Sequence, residues 1–218
     1  MPQKTQSLPD NTVTAELTTL EEAKVYEEKR FGRLYKTRKV NRFEKTFAKN
    51  MYEMVGREAI IVDVPCGSGR FFEIFSKARK LIMVDYSENM LNAAKERFEI
   101  GENVQLLRGE ISNLPLENDV AELCFCMRLF HHMKTDEIRL NALKELARIS
   151  NKYVALSFYN KNCLRYYWRK MLGKKIRGNY ITFDHILGLA KQIGLEAVER
   201  FPKLNLVEQQ CLVVFKKG

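Results

Sequence analysis

The chemistry-bearing part of this sequence is a turn. Val62-Asp63-Val64-Pro65-Cys66-Gly67-Ser68-Gly69-Arg70 joins a short apolar run, Ala59 to Val64, to a segment expected to become helical near Phe71. Glycine at 67 and 69 lets the backbone turn tightly and approach a ligand with no Cβ in the way. A second apolar run, Leu81 to Asp85, ends on an acid 18 residues after Gly67. A carboxylate at that place accepts hydrogen bonds from the hydroxyls of a ribose. The turn and the acid together predict a site for an adenine nucleoside. Spacing excludes two related chemistries. The dinucleotide fingerprint needs a third glycine where Phe72 stands, and no Gly-Lys-Ser/Thr phosphate loop is present.

Residues of this kind are positioned by a parallel sheet. Val104 to Leu107, Val120 to Met127 and Tyr153 to Phe158 read as further buried strands. Leu195 to Phe201 and Gln210 to Lys216 read as two last strands, joined by a loop holding Pro202. Helices are expected over Ser87 to Phe98, with Ser87 as cap, over Thr135 to Ile149, and over Thr182 to Ile193, closed by Gly194. Leu20 to Val55 also reads as helical, broken near Gly32 into two pieces. Strands alternating with helices predict a doubly wound α/β sheet, and 218 residues with 45% hydrophobic content suit one such domain.

These motifs resemble the class I, Rossmann-like methyltransferases that use S-adenosylmethionine, in particular the group acting on small molecules, quinones and lipids. The resemblance runs from about Ile60 to His132, and more loosely to Gly218. It implies a seven-stranded sheet of order 3-2-1-4-5-7-6 with the last strand antiparallel, beneath an N-terminal helical cap. It divides the chain into a tail (1–18), the cap (19–56) and the methyltransferase domain (57–218), which includes a basic insertion (159–180). The resemblance also assigns cofactor contacts. Asp63, Pro65, Gly67, Ser68 and Gly69 form the first motif, Asp85, Tyr86 and Met90 the second, and Glu110 and Ile111 the third. Met127 opens the stretch after the fourth strand. Two positions depart from the family pattern. Pro65 replaces a common glycine and removes one N–H donor, and Glu110 stands where aspartate is usual.

Methyl transfer from a sulfonium needs alignment more than acid–base assistance, so no catalytic triad is expected and none is seen. His131 and His132 are the candidates for a base. Packing at a helix entry is the simpler reading of both. For the acceptor pocket the candidates are Tyr26 and Tyr35 from the cap, with Arg128, His132, Tyr159 and Tyr167.

The charge is segregated. Lys29 to Lys49 holds nine basic residues and one acid, Glu44, and Lys161 to Arg177 holds seven and none. The two stretches thus carry +15, leaving −5 for the remainder of a chain whose net charge is +10. Within the second, Leu164, Tyr167, Trp168, Met171 and Leu172 fall at helical spacing on one face, a basic amphipathic helix. It reads as a surface helix packed on the sheet, an acceptor lid or a membrane contact. Both stretches are expected to rim one opening. That favours a small or lipid-like, anionic acceptor, with peripheral contact to an anionic membrane. An RNA or protein methyltransferase and a non-catalytic nucleoside-binding subunit are the rival readings, and no Asn-Pro-Pro-Tyr-type motif follows the fourth strand.

Five scattered cysteines give no disulfide framework, and the histidine and cysteine spacings predict no metal. Met1 to Thr19 lacks the apolar stretch of a signal peptide and reads as a disordered tail, which gives a cytoplasmic expectation.

Overall fold

The computed structural model describes residues 19–27, 35–176, 178–201 and 209–218. Its strands are β1 (Ile60–Asp63), β2 (Lys80–Asp85), β3 (Val104–Arg108), β4 (Ala121–Cys126), β5 (Ser150–Asn160), β6 (Tyr180–Ile181), β7 (Leu195–Phe201) and β8 (Gln210–Lys217). The helices are α1 (Leu20–Glu27), α2 (Tyr35–Val55), α3 (Phe72–Phe75), α4 (Glu88–Arg97), α5 (Asp136–Ile149), α6 (Leu164–Met171) and α7 (Phe183–Lys191), and a 3₁₀ turn spans Phe130–His132.

The sheet runs β3-β2-β1-β4-β5-β8-β7, with β6 beside β5 off this path. β1 to β5 pair in parallel, and β8 lies antiparallel between β5 and β7. This is the order the sequence implies, with one strand added. β6 has only two residues, too few to show a period, so the last two strands gain one in number.

Alternation along the strands divides the core into two layers. Val62, Ile82, Cys124 and Val154 face the layer containing Leu143 of α5 and Ile186 of α7. Ile61, Leu81, Leu123 and Ala155 face the layer containing Met51 of α2, Phe75 of α3 and Leu91 of α4. Residues buried from both sides explain why these strands read as continuous apolar runs.

Helix starts follow the capping residues. Ser87 Oγ accepts from Met90 N at 3.4 Å, and Thr182 Oγ1 from His185 N at 3.2 Å. The helix expected from Phe71 is shorter than its pattern suggests. α3 makes one turn, and the Asn103 amide donates to the carbonyls of Ser76 and Ala78, both at 2.9 Å, steering the chain into β2. Gly32, Pro202 and the N-terminal tail lie outside the described residues. All five cysteines are buried free thiols, and burial pushes the Cys66 thiol up. Among the described residues no helix is long and apolar enough to cross a membrane.

Candidate functional site

Parallel strands β1, β2, β4 and β5 end on the same edge, and the glycine turn sits there. Cys66 N donates to Val84 O at 2.9 Å, which docks the turn onto β2. Gly67 N donates to Asp85 Oδ2 at 2.8 Å, and Ser87 N donates to Asp85 Oδ1 at 2.9 Å. The acid therefore ties the glycine turn to the start of α4, and each oxygen keeps one further lone-pair direction. Asp85 is 8% exposed. Its burial raises the carboxyl pKa above the ordinary aspartate value, against the lowering effect of the Ser87 and Gly67 N–H groups.

The two glycines are needed for different reasons. Gly67 has φ +56°, and a Cβ there would meet nothing within 4 Å, so the backbone borders open space. Gly69 has φ +80°, and a Cβ there would lie 2.8 Å from the Phe98 ring. Gly69 thus serves packing behind the turn. Between them Ser68 is 3% exposed, and its Oγ has no hydrogen-bond partner among the described residues.

The other expected cofactor residues lie around this edge. Asp63 is buried at the end of β1 and Pro65 is half-buried. Tyr86 is half-buried with the Arg108 guanidinium 5.6 Å from its ring centroid. Met90 is buried and packs with Ala93 of α4 and Ala23 of α1, so the first cap helix rests against the second motif. Ile111 and Met127 are buried, and Glu110 is half-buried in a bridge with Asn113.

The acceptor candidates separate. His131 is buried and stacks on Tyr159, with ring centroids 4.0 Å apart, while His132 is exposed. Tyr159 in turn lies 5.4 Å from Tyr180. Tyr167 is not brought to this group, because it stands on the outer face of α6. Tyr26 and Tyr35 fall in α1 and α2, with side chains outside the described part of the structure. The joint rim expected of the two basic stretches falls partly on residues 28–39, whose side chains are also outside it. Arg128 has φ +59° and donates from its backbone to Ser157 Oγ at 2.7 Å.

The sequence reading missed the residue that holds the Arg128 side chain. Glu44 of α2 is completely buried. It pairs with Arg70 Nη1 at 2.5 Å and Arg128 Nε at 2.9 Å, and it accepts a hydrogen bond from the Gln210 amide. The cap is thus fastened at once to the glycine turn, to the segment after β4 and to the start of β8. The signal was present. Glu44 shares the helical spacing of Phe47, Ala48 and Met51, and an acid on a buried stripe requires a charged partner.

α6 departs from one of its three expected readings, a helix packed by its apolar face on the sheet. It is a helix as predicted, but none of its residues is buried. Tyr166 and Arg169 face the protein. Tyr166 packs on Tyr180 at 5.0 Å, and Arg169 donates to the Lys175 carbonyl. A cleft of about 480 Å³ lies beside it, lined by Lys134, Arg139, Lys161, Tyr166 and His185 among others. At its edge His185 and Arg139 both engage Asp136, and the His185 hydrogen bond holds that carboxyl below the usual range.

A glycine turn, a strand-end acid and this strand order are a combination with known relatives. Residues 61–152 match the family of methyltransferase domains. The matched stretch runs from β1 to the start of β5 and contains the glycine turn, Asp85, Glu110 and Met127. Among curated proteins, the chain is 31% identical over 91 residues to a tRNA (carboxymethyluridine(34)-5-O)-methyltransferase of Mus musculus, across 42% of this chain and 13% of that protein. It is 31% identical over 111 residues to a demethylmenaquinone methyltransferase of Staphylococcus haemolyticus, across 49% of this chain and 44% of that protein. The chain spans less than half the length of these relatives. Among solved structures, magnesium protoporphyrin IX methyltransferase of Synechocystis with bound SAH superposes with TM-score 0.73 at 14% identity, over 91% of this chain and 97% of that one. This likeness shows a shared Rossmann-like α/β fold.

Proposed function

We propose that this protein transfers a methyl group from S-adenosylmethionine to a small or lipid-like, anionic acceptor. The observation that carries the reading is the joining of Gly67 and Asp85 at one sheet edge within a methyltransferase domain. The residues fit the donor. Open space above Gly67 accepts a ligand against bare backbone, the remaining lone pairs of Asp85 suit ribose hydroxyls, and the buried Ser68 hydroxyl has hydrogen-bonding capacity to offer. S-adenosylmethionine supplies a methyl group already activated by positive sulfur. The work of the chain is therefore alignment and exclusion of water. Asp85 and the glycine turn orient the nucleoside, Ile111 and Met90 give the base an apolar wall, and α2 shelters the edge through Glu44. His131, stacked on Tyr159, is the candidate for a proton acceptor where the acceptor atom must lose one.

Calorimetry of the full chain with S-adenosylmethionine and with its demethylated product tests the reading. Micromolar binding, roughly −8 kcal/mol, is expected. Asp85→Ala weakens it by about 1–3 kcal/mol, and Gly67→Ala weakens it without altering the circular dichroism spectrum. Binding of NAD in place of S-adenosylmethionine would overturn it. The tRNA-modifying relative and the basic stretches favour a second reading, an RNA acceptor. That reading requires RNA binding that weakens steeply with salt.

A further inference from the structure

We propose that α6 docks the protein on the surface of an anionic lipid bilayer. An amphipathic helix on a folded domain ordinarily turns its apolar stripe inward. In α6 the orientation is reversed. Leu164, Tyr167, Trp168, Met171 and Leu172 are all exposed, Trp168 at 61% and Met171 at 69%. They are five of the seven large apolar side chains exposed among the described residues, and at 100° per residue they occupy an arc of about 140°. The opposite side carries Tyr166 and Arg169, and it is this side that the protein holds, through Tyr180 and the Lys175 carbonyl.

Charge decides what covers the face. Arg165 and Lys170 border the apolar arc on its two sides, and Lys174 and Lys175 follow the helix, all four exposed. No acid occurs from Lys161 to Arg177. A second copy of the chain would bring two such cationic stretches together, which opposes self-association through this face. A bilayer with acidic head groups meets both demands. It takes Trp and Tyr at its polar–apolar boundary, aliphatic side chains just below, and Lys and Arg at the phosphates. α6 begins four residues after the end of β5. Docking therefore turns the carboxyl edge of the sheet toward the lipid. The link from that orientation to the acceptor rests on the reading that methyl transfer occurs at this edge.

Trp168 is the only tryptophan of the chain, so its fluorescence reports on this face alone. Full-length protein is titrated with vesicles of phosphatidylcholine, and of phosphatidylcholine mixed with phosphatidylglycerol. The expected result is a blue shift and co-sedimentation with the mixed vesicles only, lost at high salt. Arg165→Glu with Lys170→Glu should weaken the partition more than tenfold. Met171→Ser with Leu164→Ser should do likewise while keeping the circular dichroism spectrum. Equal behaviour on both vesicle types overturns the proposal. So does concentration-dependent self-association that the two serine substitutions abolish, since the face would then belong to a second copy. Calorimetry with S-adenosylmethionine on the same samples separates the two readings. Cofactor binding without vesicle binding removes the docking and leaves the enzyme, and vesicle binding without cofactor binding does the reverse.

Discussion

α2 and α6 are both basic, both amphipathic, and both reach the carboxyl edge of the sheet, yet they are oriented oppositely. α2 buries Phe47, Ala48 and Met51 and places a carboxylate among them. α6 has no fully buried residue and turns its apolar face outward. The difference lies in what each polar side can be joined to. α2 carries Glu44, whose partners Arg70, Arg128 and Gln210 come from three separate segments of the domain. α6 has no acid with which to form an equivalent anchor, and its inner side rests on the Tyr180 ring and the Lys175 carbonyl. Periodicity defines a face, and partners elsewhere in the fold decide which way it points.

Four measurements break or sharpen this contrast. The largest effect is expected at Glu44. Glu44→Ala leaves two largely buried guanidiniums without their carboxylate, and urea denaturation should show a loss of about 3–5 kcal/mol. A loss near zero would mean that α2 is held by its apolar face alone. Next comes one substitution made in both helices. Met51→Ala empties a packed position and should cost about 2–5 kcal/mol, whereas Met171→Ala removes an exposed side chain and should stay within about 0.5 kcal/mol. Equal losses would show that α6 is packed after all.

The third measurement concerns the edge both helices adjoin. The Asp85 carboxyl is raised by burial, and only the carboxylate has an acceptor free for each ribose hydroxyl. Affinity for S-adenosylmethionine should therefore fall on acidification at a pH above the ordinary aspartate range. For folding the sign is opposite. A raised carboxyl favours the folded state below the unfolded pKa, and that contribution is lost as pH rises through the folded value. A calorimetric pH series finding unchanged affinity through the acid range would remove Asp85 from the ribose. Smallest of all, Arg165→Glu with Lys170→Glu should leave the thermal midpoint unchanged within error while altering vesicle binding.

The sheet and the glycine turn were legible because their signals are local. Six residues of apolar strand, two glycines and an acid at the end of the next strand are readable one after another. The caps at Ser87 and Thr182 are equally local. What escaped the sequence depends on distant partners. β6 exists because Tyr159 and Asn160 are extended beside it. Glu44 was visible as a lone acid among nine basic residues, but Arg70 and Arg128 are 26 and 84 positions away. Gly69 was readable as a turn residue, whereas its contact with Phe98 was not. For α6 the periodicity gave the apolar face but left its direction open between sheet, lid and membrane, since no periodicity records that Tyr166 packs on Tyr180.

The Glu44 cluster also sets an order in time. Its most distant members, Glu44 and Gln210, are 166 residues apart, and Gln210 begins the strand that enters between β5 and β7. A ribosome delivers Glu44 and Arg70 well before Gln210. Until β8 is inserted, the nascent chain has its glycine turn and parallel strands without a completed latch on its cap. Ordering of α2 should thus belong to the final stage of folding, after the parallel strands have paired. A chain released before β8 would carry the glycine turn and Asp85 with α2 unfastened, an open form readily distinguished by proteases from the finished one.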